Sequence, residues 1–393
     1  MGYDLNKFID RSNTNSVKWE YMQNVDPQAT ADTIPLWVAD MDFPCAEPII
    51  KALHERVDRK IFGYSSHDHE DYYNAVRGWF QRRFDWDIDA ADLVFSPGVV
   101  PAVGFLLDIL TEPGDGVLIQ RPVYHPFTRL IETRNRVLIN NPLTNRNGYY
   151  EMDFADLERK VKDPRTKLMI LCSPHNPVGR VWKEDELRTL GRICLDNDVF
   201  IISDEIHCDL VRRGVKHTPL ETLFPEYRDR IITTTAPSKT FNLAGMQVSN
   251  IIIHAPKIRA KWQAYVKDQL GIMWPNTLSI VAAQAAYCQG EGWLEKVLDY
   301  VDGNLAFLQD FLEKHVSKAR CSPIEGTYLA WVDFTDYGYS QDELIRRMYR
   351  EAKVLVLDGT LFGEEGEGFI RINTACPRDI LKEALERIAK IVR

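Results

Sequence analysis

Seven short runs of apolar, largely β-branched residues mark the middle of this chain, at 93–95, 117–119, 137–139, 168–171, 199–202, 231–234 and 251–253. A strand that alternates apolar and polar residues can bury one face; a run without polar interruption suits a strand buried on both. Helical patterns lie between several of the runs. Over 184–196, Leu187, Leu190, Ile193 and Cys194 recur at helical spacing. Strand and helix in alternation predict an α/β fold with a mostly parallel sheet, covering residues 50–290.

Beyond that point the texture changes. Residues 293–312 read as one long amphipathic helix. Short strands follow at 328–334, 354–357 and 369–373, then a terminal helix with Leu381, Ala384, Leu385, Ile388 and Val392 on one side. This predicts a smaller α+β domain over 291–393, with the N-terminal segment 1–49 packing beside it. A length of 393 residues agrees with two domains.

Charge and cysteine usage remove several function classes. The net charge is −9, and no Lys/Arg run is long enough to track a phosphate backbone, which excludes nucleic acid as a partner. The seven cysteines are scattered and form no C-x-x-C pair. That argues for a reducing compartment, against a disulfide frame and against a zinc site. The first residues lack the apolar core of a signal peptide, and no apolar stretch approaches the ~20 residues that span a bilayer. The expectation is a cytoplasmic enzyme that does not act on membranes. His67, Asp68 and His69 have no third or fourth ligand nearby in sequence and read as a loop, so no metal is expected. No nucleophile elbow surrounds Ser173 or Ser203.

In open α/β sheets, ligands bind beyond the carboxyl ends of the strands. Five successive strand ends here carry S-P-G-V-V-P-A, Q-R-P-V-Y-H-P, C-S-P-H-N-P-V-G, S-D-E-I-H and T-A-P-S-K-T-F-N-L-A-G. They place Gly98, Tyr124, Asn176, Asp204, His207, Ser238 and Lys239 around one crevice. Backbone N–H groups of Val99 and Val100, at the start of an apolar helix, suit a phosphate. In F-I-R-I-N, strand alternation sets Arg371 and Asn373 on the face opposite Ile370 and Ile372. A guanidinium fork there fits a carboxylate.

Taken together, these segments resemble the fold-type I pyridoxal-phosphate enzymes, the aspartate aminotransferase superfamily, over most of the chain. A narrower resemblance is to the MalY/PatB-like cystathionine β-lyase branch, the C–S lyases. It rests on W-V-A-D-M-D-F (37–43), F-G-Y (62–64), S-P-G-V-V-P (96–101), D-E-I-H (204–207), P-S-K-T-F-N-L-A-G (237–245) and R-I-N-T-A-C-P-R (371–378). The resemblance implies a fold-type I transferase-like fold and pyridoxal 5′-phosphate as cofactor. Lys239 would carry the cofactor aldehyde and later move the substrate Cα proton. Asp204 would keep the pyridine nitrogen protonated, and Tyr124 would stack on the ring. Asn176 and His207 would face the ring hydroxyl; Val99, Val100 and Ser238 would hold the phosphate. Arg371 would bind the substrate carboxylate. Tyr64 would reach the phosphate and substrate of a partner subunit, making a homodimer with shared sites.

Three positions depart from the wider pattern. Gln247 stands where aminotransferases carry a phosphate-clamping arginine, Ala236 where a serine is common, and His125 where relatives have a second tyrosine. The expected activity is β-elimination of L-cystathionine or a related L-cysteine S-conjugate to pyruvate, ammonia and a thiol. An aminotransferase, which shares the steps up to Cα deprotonation, and a regulatory binding protein retaining the site are the alternatives.

Overall fold

The computed structural model, which describes residues 3–392, turns each apolar run into a strand. They are β1 (Leu93–Ser96), β2 (Gly116–Ile119), β3 (Val137–Asn140), β4 (Thr166–Cys172), β5 (Phe200–Asp204), β6 (Ile231–Thr235) and β7 (Ser249–Ile253). All seven join one sheet in the order β1-β7-β6-β5-β4-β2-β3. From β6 to β3 every pairing is parallel; β7 runs antiparallel to both of its neighbours.

Alternation along the strands explains why the runs contain no polar break. Leu168 and Ile170 enter one core with Val117, Ile119, Ile202 and Ile232. Met169 and Leu171 enter the core on the opposite face with Leu118, Ile201 and Ile231. The first face is covered by helices Val99–Leu110, Pro126–Thr133 and Pro256–Trp262, the second by Glu184–Leu195 and others.

The chain leaves β2 toward one edge through β3 and fills the other side through β4, β5 and β6. The order therefore reverses between β2 and β4, and a crevice opens at their carboxyl ends.

The C-terminal part builds a four-stranded antiparallel sheet around Leu329–Asp333 and Phe369–Asn373. Helices Glu291–His315 and Arg378–Ile391 pack with it. The strand expected at 354–357 is two strands in different sheets. Val354–Leu355 pairs in parallel with Ile34–Pro35 of the N-terminal stretch, whereas Leu357–Asp358 pairs with the strand carrying Arg371. Among the described residues, no helix is long and apolar enough to cross a membrane.

Candidate active site

The crevice holds a cavity of about 580 Å³, lined from the strand ends, the N-terminal stretch and the small sheet. Asp204 closes β5 and is 4% exposed. It does not cap a helix: residues 206–209 form a turn. Its Oδ1 accepts only long bonds, from Ile206 N and Thr234 Oγ1, both at 3.3 Å. Burial therefore dominates and pushes its pKa from the carboxylate range up to about 7.

Lys239 lies in the one-turn helix Pro237–Thr240 that follows β6. That turn is anchored from behind, where Thr240 Oγ1 donates to the buried Asp209 at 2.9 Å. Lys239 Nζ donates to the Ala39 carbonyl at 2.7 Å. Burial, and then the positive charge of Arg371, hold its pKa down at about 8.

Arg371 projects from Phe369–Asn373 and is 2% exposed. It donates to Asn176 Oδ1 and to the Trp37 carbonyl, each at 3.0 Å, and lies over the Phe362 ring. Its Nε has no partner. No carboxylate pairs with it in the described structure, and burial lowers its pKa to about 10. A fork held this way is available to an anionic ligand.

The other expected residues take these places. Asn176 is buried in the turn after β4, its side-chain oxygen used by Arg371. His207 is buried with Nδ1 unpartnered; burial, Lys239 and Arg371 keep its imidazole neutral at pH 7. Tyr124 is half-buried and lines the cavity. His125 beside it also lines the cavity, and burial followed by Arg371 lowers its pKa to about 4, so it is neutral too. Gly98 caps Val99–Leu110, leaving the N–H groups of Val99 and Val100 in the unbonded first turn beside Ser238. Gln247 lines the cavity in a left-handed conformation and donates to the Ala244 carbonyl of its own turn. Among the described residues, the cations lining the cavity are Lys239 and Arg371.

Tyr64 stands apart from its own chain's cavity. It is 90% exposed and its ring lies 4.9 Å from that of Trp274, next to exposed Ile61 and Phe62.

Residues 37–40 contribute what the sequence reading did not assign. Trp37 O accepts from Arg371, and Val38 O and Asp40 O accept from Asn373 Nδ2. Ala39 O accepts from both Lys239 and Tyr328. These contacts are made by backbone carbonyls, which carry no residue-type signature. The nearest sequence cue was the motif itself. Asn242 of N-L-A-G ties it to the lysine segment by bonding the backbone of Met41 and Phe43.

A mostly parallel sheet with a carboxylate and a lysine at its strand ends, facing an arginine from the small antiparallel sheet across one cavity, defines a class, and the comparisons agree with it. The chain belongs to the aminotransferase class I and II family, whose model matches residues 31–388. It is similar to cystathionine beta-lyase PatB of Bacillus subtilis, 42% identical over 385 residues that span 98% of each chain. Among solved structures it is similar to cystalysin of Treponema denticola, which contains a pyridoxal 5′-phosphate cofactor (TM-score 0.96, 39% identity, 100% and 99% coverage). It is also similar to the PLP-bound C–S lyase of Staphylococcus hominis (TM-score 0.94, 39% identity, 100% and 98% coverage).

Proposed function

We propose that this protein is a pyridoxal 5′-phosphate-dependent carbon–sulfur β-lyase that splits L-cystathionine or a related L-cysteine S-conjugate into a thiol, pyruvate and ammonia. The observation that carries the reading is the convergence of half-buried Lys239 with buried Asp204 and Arg371 on one cavity.

The donor set fits the cofactor. Asp204 is a buried carboxylate bound only by long hydrogen bonds, which suits a cationic pyridine nitrogen. Asn176 and the neutral His207 suit the ring oxygen, and Tyr124 suits the ring face. Val99, Val100 and Ser238 offer donors to the phosphate. When bound, this group supplies an electron sink for negative charge at the substrate Cα.

The chain's own residues do the rest. Arg371 fixes the substrate carboxylate through two parallel bonds. Lys239, with its pKa near 8, is poised to take the Cα proton at neutral pH and hold it on Nζ, facing the Ala39 carbonyl. Thiolate then departs from Cβ, and the 2-aminoacrylate formed hydrolyses to pyruvate and ammonia. An aminotransferase would instead return the proton to the cofactor carbon. The names of the relatives and Gln247 at the arginine position favour elimination.

Arg371→Lys is expected to raise KM for amino-acid substrates about 10- to 150-fold, because one ammonium cannot replace the fork. The check is steady-state kinetics beside an analogue lacking the carboxylate. An equal response from that analogue would give the arginine another role.

The reading includes a cytoplasmic C2 homodimer. The exposed, touching rings of Tyr64 and Trp274, with exposed Ile61 and Phe62 just before Tyr64 in the chain, suit a subunit interface. Tyr64 of the partner subunit would complete each phosphate site, which has no arginine at Gln247. Mixing inactive Tyr64→Ala with inactive Lys239→Ala should restore activity, since half the heterodimers' sites would be free of both lesions. No recovery, with subunit exchange proven, would take Tyr64 out of the partner's site.

Activity itself is tested by following thiol release from an L-cysteine S-conjugate with a thiol reagent. Conversion of the conjugate without thiol would overturn the lyase reading.

A further inference from the structure

The cavity has a second wall, which none of the steps above uses. Leu357 pairs directly with Arg371 across the small sheet, so the two side chains stand side by side on one face. Val25, Trp37, Tyr349 and Leu361 line the same cavity. The polar atoms of the two aromatic residues are already engaged. Tyr349 Oη donates to the Val356 carbonyl at 2.8 Å, and Trp37 Nε1 to the Lys18 carbonyl at 3.0 Å. Their rings, not their polar tips, are left for a ligand.

Charge is missing from this wall. Among the described residues, the charged groups lining the cavity are Asp204, Lys239 and Arg371, each with a role already given. Arg350, next to Tyr349 in the chain, is paired with the buried Asp26 at 2.7 Å, and neither residue lines the cavity.

We infer that the enzyme selects cysteine S-conjugates with an apolar leaving thiol, and that Leu357, Tyr349, Trp37, Val25 and Leu361 set this preference. The inference rests on the lyase reading. L-cystathionine ends in an ammonium and a carboxylate. Moving them against this wall strips water from both without supplying a partner. An alkyl chain meets no such penalty, and each methylene it buries strengthens binding about fourfold.

The test uses the holoenzyme and the series from S-methyl- to S-pentyl-L-cysteine, with L-cystathionine as the charged counterpart. The specificity constant kcat/KM for thiol release should rise along the series, and the S-pentyl compound should exceed L-cystathionine about tenfold or more. Leu361→Arg, at the half-exposed rim, should narrow that gap by offering the distal carboxylate a partner. An unchanged gap would remove Leu361 from the wall. A parallel calorimetric series uses 3-(alkylthio)propanoates, which have no amine and cannot react. Their affinity should also climb with chain length. A preference for L-cystathionine, or an affinity series flat in chain length, overturns the inference. If no conjugate releases thiol while the affinity series still climbs, the lyase reading falls and the apolar wall stands.

Discussion

Lys239→Ala is expected to lose thiol release by about 10³-fold or more while the protein stays folded. General-base catalysis alone accounts for roughly 10²–10⁴, and on the proposed reading this lysine also holds the cofactor. The substitution removes an amine whose burial opposes its charge more than the neighbouring Asp40 and Asp204 favour it, so the fold does not rest on that charge. Its one hydrogen bond goes to a carbonyl that Tyr328 also satisfies, at 2.9 Å. Native secondary structure with no visible absorbance band and no borohydride-stable adduct is the expected outcome. A covalent, reducible adduct persisting in the mutant would mean that another lysine carries the cofactor.

Asp204→Asn should separate function from stability. A neutral amide cannot hold the pyridine nitrogen protonated, so Cα proton removal should slow by about 10²–10³, the scale seen when one preorganised electrostatic partner is lost. Cofactor affinity should fall far less. The apoprotein should respond in the opposite sense. Burial raises the folded-state pKa of Asp204 from 3.8 to about 7, so the folded protein binds the extra proton between those values. The cost of ionising this group in the fold is absent below pH 4, grows as pH rises to 7 and is complete above it. Asparagine carries no such cost. At pH 8 the mutant apoprotein should therefore be the more stable, by at most about 4 kcal/mol for a shift of about three units, and the difference should vanish near pH 4. Denaturant titrations at the two pH values provide the check. Unchanged turnover in Asp204→Asn would remove the carboxylate from the mechanism.

The large sheet was legible because strands buried on both faces leave unbroken apolar runs, as β2, β4, β5 and β6 do, and all seven runs became strands of one sheet, the partly exposed edge strand β3 and the antiparallel β1 and β7 included. Asp204 and Lys239 were legible for a related reason: one closes such a strand and the other sits in the turn of helix that follows one, at the edge where ligands bind. Other features depend on contacts distant in sequence. The split at Val356 arises because two different strands, Ile34–Pro35 and Phe369–Asn373, claim adjacent halves of one segment. The bond from Arg371 to Asn176 joins residues 195 apart. The carbonyls of residues 37–40 act through backbone, so no side-chain pattern announces them. Tyr64 was singled out only through its likeness to a family segment, and its role stays a proposal. Its exposure beside Trp274 suits a role that a single chain does not display.

The most direct test of the central claim is the mass balance of the holoenzyme with L-cystathionine in the absence of any 2-oxo acid. Elimination gives one equivalent each of pyruvate, ammonia and homocysteine, sustained over many turnovers and unchanged when an acceptor is added. Consumption that stops after one turnover, produces no thiol and resumes only with a 2-oxo acid would contradict the account and make this protein an aminotransferase.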